Sequence, residues 1–381
     1  MKWFEAFDAE LVESARLRTV SDVPIGVFLS GGVDSNVVLE ALHRTGHRPI
    51  RTFTLGFEGL PDERATAALG ARRFAEEHVE LVAKPDVARE VAETLAHFAD
   101  PLGDSAVVTT ALIAREAARH VKVMVNGDGG DELFGGYYRY PFARRADLAR
   151  RVPGALAVLR RRYGDRTNAL EALHQLAAGH PDHAARELCS FFTPPQIEAL
   201  LPRDAPHALA LAPPPWPGAC GPSLADALFA WDSGRYLPDD LLVKVDVASM
   251  AHALENRSPL LDHRLFEHVG RLPAARRTSP RETKPLLRRH ARGRIAPEAL
   301  AAPKRGFQLP LEEWLRGPLA GWLDGLIGAD ARTARLFRPG AVRALADGFH
   351  AGRGGDLAPL RLWALAALEC WARAFDVALE A

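Results

Sequence analysis

Residues 25–35 read Ile25-Gly26-Val27-Phe28-Leu29-Ser30-Gly31-Gly32-Val33-Asp34-Ser35. A short apolar run, 25–29, stops at a glycine-rich turn, and a helical stretch follows from Asn36 to His43. That order is strand, turn, helix. Glycines let the backbone turn tightly and bring its N–H groups close to a bound anion. The helix behind them adds the positive end of its dipole. Ser30 and Ser35 supply hydroxyl donors. Asp34 alone would repel a phosphate, so its presence implies a Mg²⁺ between carboxylate and polyphosphate. A Ser-Gly-Gly turn by itself is equally an ordinary tight turn with a helix cap. Two other phosphate motifs fail. A Walker A loop needs Gly-Lys, a dipeptide the chain lacks, and Gly127-Asp128-Gly129 has Glu132 where a dinucleotide fingerprint needs its third glycine.

Outward from this stretch, strands and helices alternate. Glu5–Arg18 has helical apolar spacing and ends at Ser21-Asp22-Val23-Pro24. Strands are expected at Ile50–Phe57, His78–Val82 and Val121–Val125, with helices at Asp62–Glu76, Asp86–Phe98 and Ala106–His120. This alternation predicts an α/β fold with a doubly wound, mostly parallel sheet, and such sheets bind ligands at the carboxyl ends of their strands. The first and fourth strands both end in glycine-rich turns, Ser30–Ser35 and Gly127–Asp131. After Tyr140 the strand signal fades. The expected division is an α/β nucleotide-binding region at 1–140, a helical insertion with a proline-rich loop at 141–223, and a helical region at 224–381 that completes the site, closing on an amphipathic helix near Leu360–Phe375.

Composition sets bounds on function. The chain has 381 residues, 48% apolar and 25% charged, enough for a sizeable core, which excludes a disordered chain or a disulfide mini-scaffold. Lys+Arg and Asp+Glu are equal at 48 each, which argues against a dedicated nucleic-acid binder. No run of ~18 apolar residues suggests a membrane span, and the start lacks a signal peptide's apolar core, so a cytoplasmic protein is expected. Cys189, Cys220 and Cys370 lie far apart without a CxxC and read as reduced and structural. Only six lysines occur, at 2, 84, 122, 244, 284 and 304; every other basic residue is arginine. A lysine retained in so arginine-biased a chain is a candidate for chemistry that a guanidinium cannot perform.

Ser30–Ser35 after an apolar strand resembles the PP-loop of the ATP pyrophosphatases, the adenine nucleotide α-hydrolase-like fold. Within that group, Asn126-Gly127-Asp128-Gly129-Gly130-Asp131-Glu132-Leu133-Phe134-Gly135-Gly136-Tyr137 is similar to the asparagine synthetases. So are Tyr236–Asp246, Leu254–His263, Lys304-Arg305-Gly306-Phe307 and Trp314–Leu319. These blocks cover nearly the whole chain. The resemblance implies ATP and Mg²⁺, with Leu29, Ser30, Gly31, Gly32, Asp34, Ser35 and Gly127 in the nucleotide site. It implies that Asp34 and Asp131 hold the metal, that Lys284 lies near the phosphates, and that Lys304 sits in a loop contacting an acyl-adenylate. Asp128 either orients or deprotonates the attacking amine, or serves its loop. Lys244 is expected to buttress Asp239 or Asp246, and Glu255 to pair with Arg257. The basic run Arg144–Arg162 reads as a solvated helix face or a docking site for an acidic partner. His263 and His268 do not fit a zinc motif. Trp363 and Trp371 read as core.

The implied activity is an ATP-dependent amide ligase: a carboxylate is adenylated with release of pyrophosphate, and ammonia or an amine then displaces AMP. Glutamine-dependent asparagine synthetases carry a nucleophilic Cys directly after the initiator Met. Here the second residue is Lys2 and the first cysteine is Cys189, so glutamine hydrolysis by that route is not expected. The options are free ammonia, ammonia from a separate glutaminase or other biosynthetic partner, or a larger amine joined to a small-molecule or peptide carboxylate. Asn256, Ser258 and Leu260 depart from the usual family pattern and put aspartate as the substrate in question. A PP-loop RNA-thiolating enzyme would need relay cysteines and a basic surface. A non-catalytic subunit of an amidotransferase complex would tolerate loss of Asp34, Asp131 or Lys304, and all three are present.

Overall fold

The computed structural model describes residues 2–57, 63–83, 87–152, 154–162, 167–202, 223–302, 310–328 and 330–377. The chain divides into two compact units, one of residues 1–84, 110–145 and 232–306, the other of 85–109, 146–231 and 307–381.

The first unit is built on five parallel strands: β1 (Ile25–Phe28), β2 (Arg51–Phe57), β3 (Glu77–Ala83), β4 (Val123–Val125) and β5 (Glu255–Arg257). Their order across the sheet is β3-β2-β1-β4-β5. The α/β parallel architecture is therefore the one expected, with strand ends shifted by a residue or two. β1 is the switch point: the chain winds outward from it through β2 and β3, then returns to place β4 on its other side. A crevice opens at the carboxyl ends of strands at such a point. β1 pairs with β4 through Val27 opposite Val125, so the turns after both strands leave the sheet side by side.

β5 carries no sequence signal. Glu255-Asn256-Arg257 is a polar triplet at the sheet edge, with Glu255 exposed. Alternation of apolar and polar residues cannot reveal a strand with no apolar residue in it.

Helices around the first unit's core include α1 (Lys2–Leu17), α2 (Val33–Arg44) and α3 (Arg64–Phe74). Phe7, Leu11 and Ala15 of α1, spaced four residues apart, are fully buried with Val37, Val38 and Leu42 of α2 and with Val27 and Val125. The Phe7 ring meets Phe134 edge-on at 5.6 Å and His290 at 4.9 Å. Burial holds the His290 imidazole down at about 4, so it is neutral near pH 7 and packs as an aromatic. Asp8 of α1 receives Arg44 at 2.7 Å and Arg294 at 2.9 Å. On the other sheet face Phe53 and Met124 pack with Ala114 and Ala117 of the Ala106–Ala117 helix.

Residues 232–241 wind as a π-helix ahead of the Leu242–Met250 helix. Pro238 lies inside it and has no N–H to give an α-helical bond, which favours a wider turn. The buried Asp232 carboxylate fixes its start, accepting from Arg139 and from the Tyr140 hydroxyl, each at 2.6 Å.

The second unit is helical among its described residues. Thr167–Ala177 and Pro181–Cys189 pack on each other, and the latter on Leu224–Trp231. Asp147 caps Leu224–Trp231, accepting from the N–H groups of Leu224 (2.8 Å) and Ala225 (3.2 Å). The Ala358–Ala374 helix buries Trp363 completely. Trp371 is half-buried, its indole N–H donating to Ala99 O at 2.7 Å, so only Trp363 is core in the full sense. Of the basic run, Arg150, Arg151 and Arg161 are exposed, whereas Arg145, in the first unit, is half-buried and donates to Pro280 O at 2.8 Å. Most of the proline-rich stretch lies outside the described residues. No described helix is long and apolar enough to cross a membrane.

Candidate active site

The turn after β1 is held open by its own side chains. Ser35 Oγ accepts from the Ser30 N–H at 3.1 Å and lies 3.0 Å from Ser30 Oγ. Ser30 Oγ accepts from the Gly32 N–H at 3.2 Å. From beneath, Asn36 Nδ2 donates to Ser30 O (3.1 Å) and Gly32 O (2.8 Å). Leu29 is buried, bonded through its N–H to Phe53 O and through its carbonyl to Thr54 Oγ1. The loop is therefore shaped before any ligand arrives, with the N-terminus of α2 behind it. The Gly31 N–H donates to a carboxylate oxygen of Glu63 at 3.1 Å, so this loop amide already faces an anionic group.

The turn after β4 closes against it. Gly129 stands at φ +85°, which only glycine adopts without strain, and opens the short Gly130–Phe134 helix that carries Asp131. A Cβ on Gly127 would lie 3.0 Å from Asp34 Cβ and from the Ser35 N. One on Gly130 would lie 2.6 Å from Asp34 Oδ1, and one on Gly136 would overlap the Asp131 carboxylate and Lys284 Cε. These glycines are the clearance that lets the two turns and Lys284 meet.

Lys284 is the centre of the cluster. Its ammonium lies between the two carboxylates, in contact with Asp34 Oδ2 and 2.6 Å from Asp131 Oδ1. The side chain is 2% exposed. The backbone holds it in the left-handed region at φ +53°, ahead of Pro285, with the Lys284 N–H on Gly135 O at 3.3 Å. A non-glycine residue there is strained, and such strain persists where the surroundings fix it. So Asp34, Asp131 and Lys284, from three distant parts of the chain, converge at the carboxyl ends of β1 and β4.

These residues fit a hard divalent cation. Two carboxylates and the oxygens of a polyphosphate are the donor set Mg²⁺ takes. Asp34 Oδ1 is buried and has no hydrogen-bond partner among the described residues, so one of its oxygens remains for a cation.

Glu132, beside Asp131, is almost wholly buried and accepts from the Tyr137 hydroxyl. Burial, with the Asp131 charge next to it, pushes the Glu132 carboxyl up to about 7. Arg139 stacks over the Tyr137 ring at 4.0 Å. Asp128 lies in the same turn. Its carboxylate accepts from Asn126 Nδ2 at 2.7 Å, its N–H donates to Asn126 Oδ1 at 3.3 Å, and its carbonyl accepts from Ser258 Oγ. Lys304 falls outside the described residues. Lys244 is buried on the Leu242–Met250 helix, Asp239 is paired with Arg235 at 3.7 Å, and Glu255 pairs with Arg257 at 2.6 Å as expected.

Sequence reasoning missed Glu63, Asn126, Tyr137 and Ser258. Glu63 carries no local signal, and Ser258 stood out only as a departure from the family pattern, because each acts on a turn far along the chain. Asn126 had one: an Asn two residues before an Asp in a glycine-rich turn readily bonds its neighbour's backbone.

Residues 6–373 match the model of the asparagine synthase family. The chain is 32% identical to a putative glutamine-hydrolysing asparagine synthetase of Mycobacterium bovis, over 97% of this chain and 57% of that protein. It is 28% identical to a glutamine-hydrolysing asparagine synthetase of Bacillus subtilis, over 88% of this chain and 54% of the relative. An amidase of Penicillium rubens is 26% identical over 81% of the chain and 52% of its own length. The chain thus spans a little over half the length of the curated relatives it matches.

Proposed function

Because the chain belongs to the asparagine synthase family, we propose that it is an ATP-dependent amide ligase that forms and consumes an acyl-adenylate. The observation that carries this reading is the cluster of Asp34, Asp131 and Lys284 beside the preshaped Ser30–Ser35 loop. A Walker lysine is absent, and the loop's amides and the α2 N-terminus suit the pyrophosphate end of ATP.

In this proposal the loop N–H groups, Ser30, Ser35 and Lys284 bind the β- and γ-phosphates. Leu29 and Gly127 line the nucleotide. Asp34 and Asp131 would hold Mg²⁺, which supplies charge neutralisation on the departing pyrophosphate. A substrate carboxylate oxygen attacks the α-phosphorus, and the bond to the bridging oxygen breaks toward pyrophosphate. Lys304 follows the negative charge onto the α-phosphate. Ammonia or an amine then attacks the acyl carbon, loses a proton and expels AMP. Asp128, gripped by Asn126, is placed to orient that amine or take its proton.

Pyrophosphate exchange into ATP, scanned over candidate carboxylic acids, tests the first half-reaction without knowledge of the amine. One acid or a narrow group should support exchange, and Mg²⁺ should be required. Exchange with none would count against adenylation.

The 381 residues hold no cysteine before Cys189, and for this chain on its own the proposed nitrogen source is ammonia or an amine. The purified chain should release no glutamate from glutamine, and glutamine alone should not support amide formation. Ammonium, an amine, or a separate glutaminase should. Glutamate release by the chain alone, read by a coupled dehydrogenase assay, would refute this.

A further inference from the structure

Any cation that binds Asp34 and Asp131 must contend with the ammonium already between them. Lys284 is 2% exposed, contacts Asp34 Oδ2, and lies 2.6 Å from Asp131 Oδ1. Its backbone is fixed at φ +53° between the Gly135 carbonyl, which accepts its N–H, and Arg288, whose N–H donates to its carbonyl at 2.9 Å. With the backbone held on both sides, any displacement of the ammonium falls to the side-chain torsions. The space the side chain's end occupies exists because Gly136 lacks a Cβ, which would overlap both Lys284 Cε and the Asp131 carboxylate.

The electrostatics decide the consequence. Two carboxylates and one ammonium leave these three residues at −1, with half of the carboxylate charge neutralised. A free divalent ion that bridges the two carboxylates must dislodge a buried ammonium and leave it without a counter-charge, and a buried unpaired charge is costly. An ion that arrives with a polyphosphate brings new anionic oxygens for the same ammonium. The lysine then exchanges carboxylate for phosphate and never stands unpaired.

We infer that Lys284 is an exchangeable counter-ion that excludes free divalent metal from the Asp34–Asp131 pair and admits the metal only together with a polyphosphate. This rests on the reading of those two aspartates as the metal carboxylates. Lys284 would then do two things in sequence: hold the carboxylates in register while the site is at rest, and move its ammonium to the phosphates when the nucleotide complex enters. The metal and the nucleotide bind with positive coupling because they share this one lysine.

The test uses Mn²⁺ as the probe, its free concentration read by electron paramagnetic resonance, with wild type, Lys284→Met and Lys284→Gln. Wild type should bind Mn²⁺ alone only weakly. Both variants should bind it at least tenfold more tightly, and the Asp34→Asn, Lys284→Met double variant should lose the gain. With a non-hydrolysable ATP analogue present, wild type should bind Mn²⁺ at least tenfold more tightly than without it, and the variants should show a smaller enhancement. If the variants fold poorly, Mg²⁺ alone should raise their melting temperature while leaving that of wild type unmoved. Equal binding of Mn²⁺ alone by wild type and both variants overturns the inference while leaving the metal site intact. No Mn²⁺ binding in any form, with or without the analogue, overturns the metal site itself.

Discussion

Asp34→Asn and Asp131→Asn should each lower Mg²⁺-dependent pyrophosphate release by about 10³-fold while leaving the fold intact. Each change keeps side-chain size and removes one negative charge from the cluster around Lys284. A metal clamp on the leaving pyrophosphate is worth several kcal/mol in the transition state. At ~1.4 kcal/mol per factor of ten, loss of half the protein's clamp gives a defect of that order. The fold should survive because Lys284 keeps one carboxylate partner in either variant. Circular dichroism and melting curves would confirm this beside the release assay. Turnover like wild type in both variants would remove the aspartates from the metal site. A defect in one alone would leave the other with only its contact to Lys284.

Lys304→Arg should damage the chemical step more than nucleotide binding, lowering kcat on the order of 10²-fold or more, as removal of one preorganised electrostatic donor does. Lys304 stands in Pro303-Lys304-Arg305-Gly306-Phe307, and its neighbour Arg305 indicates that arginine is accepted in this segment. A lysine is one of only six in the chain, so its retention points to a need for a compact ammonium. Such a group reaches between an acyl carboxylate and the α-phosphate, whereas a guanidinium is larger and bonds in a fixed fork. A group that acts on developing charge affects kcat with little change in ATP affinity. Steady-state kinetics beside a direct ATP-binding titration separates the outcomes. Weakened binding with unchanged kcat would make Lys304 a phosphate anchor only.

The strand, turn and helix around Ser30–Ser35 were legible because their signals are local. The β1 strand, the Ser30–Ser35 turn and α2 follow one another directly, and the second glycine-rich turn ends another strand of the same sheet. What no local pattern states is the pairing across the fold. Lys284 lies 250 residues from Asp34, and nothing in Thr283-Lys284-Pro285 indicates a left-handed lysine aimed between two carboxylates. The resemblance placed Lys284 near phosphates; the ammonium's position on both aspartates came from the structure. β5 escaped notice because its three residues are polar, yet its outgoing chain pins the Asp128 turn through Ser258. The same departure from the family pattern that raised doubt about the substrate is thus tied to the turn proposed to receive the amine. Glu63 was invisible for a simpler reason: a carboxylate next to an amide proposed to bind phosphate runs against the pattern sought, and only the fold brings it to Gly31.

Adenylation requires that a carboxylate attack the α-phosphorus of ATP. Turnover of an ¹⁸O-labelled carboxylate that supports exchange, with ammonium or the matching amine, followed by mass spectrometry of the nucleotide product, tests it most directly. AMP should carry one ¹⁸O atom, with unlabelled pyrophosphate formed in equal amount. ADP together with ¹⁸O-labelled phosphate would contradict it, because that pattern requires attack at the γ-phosphorus.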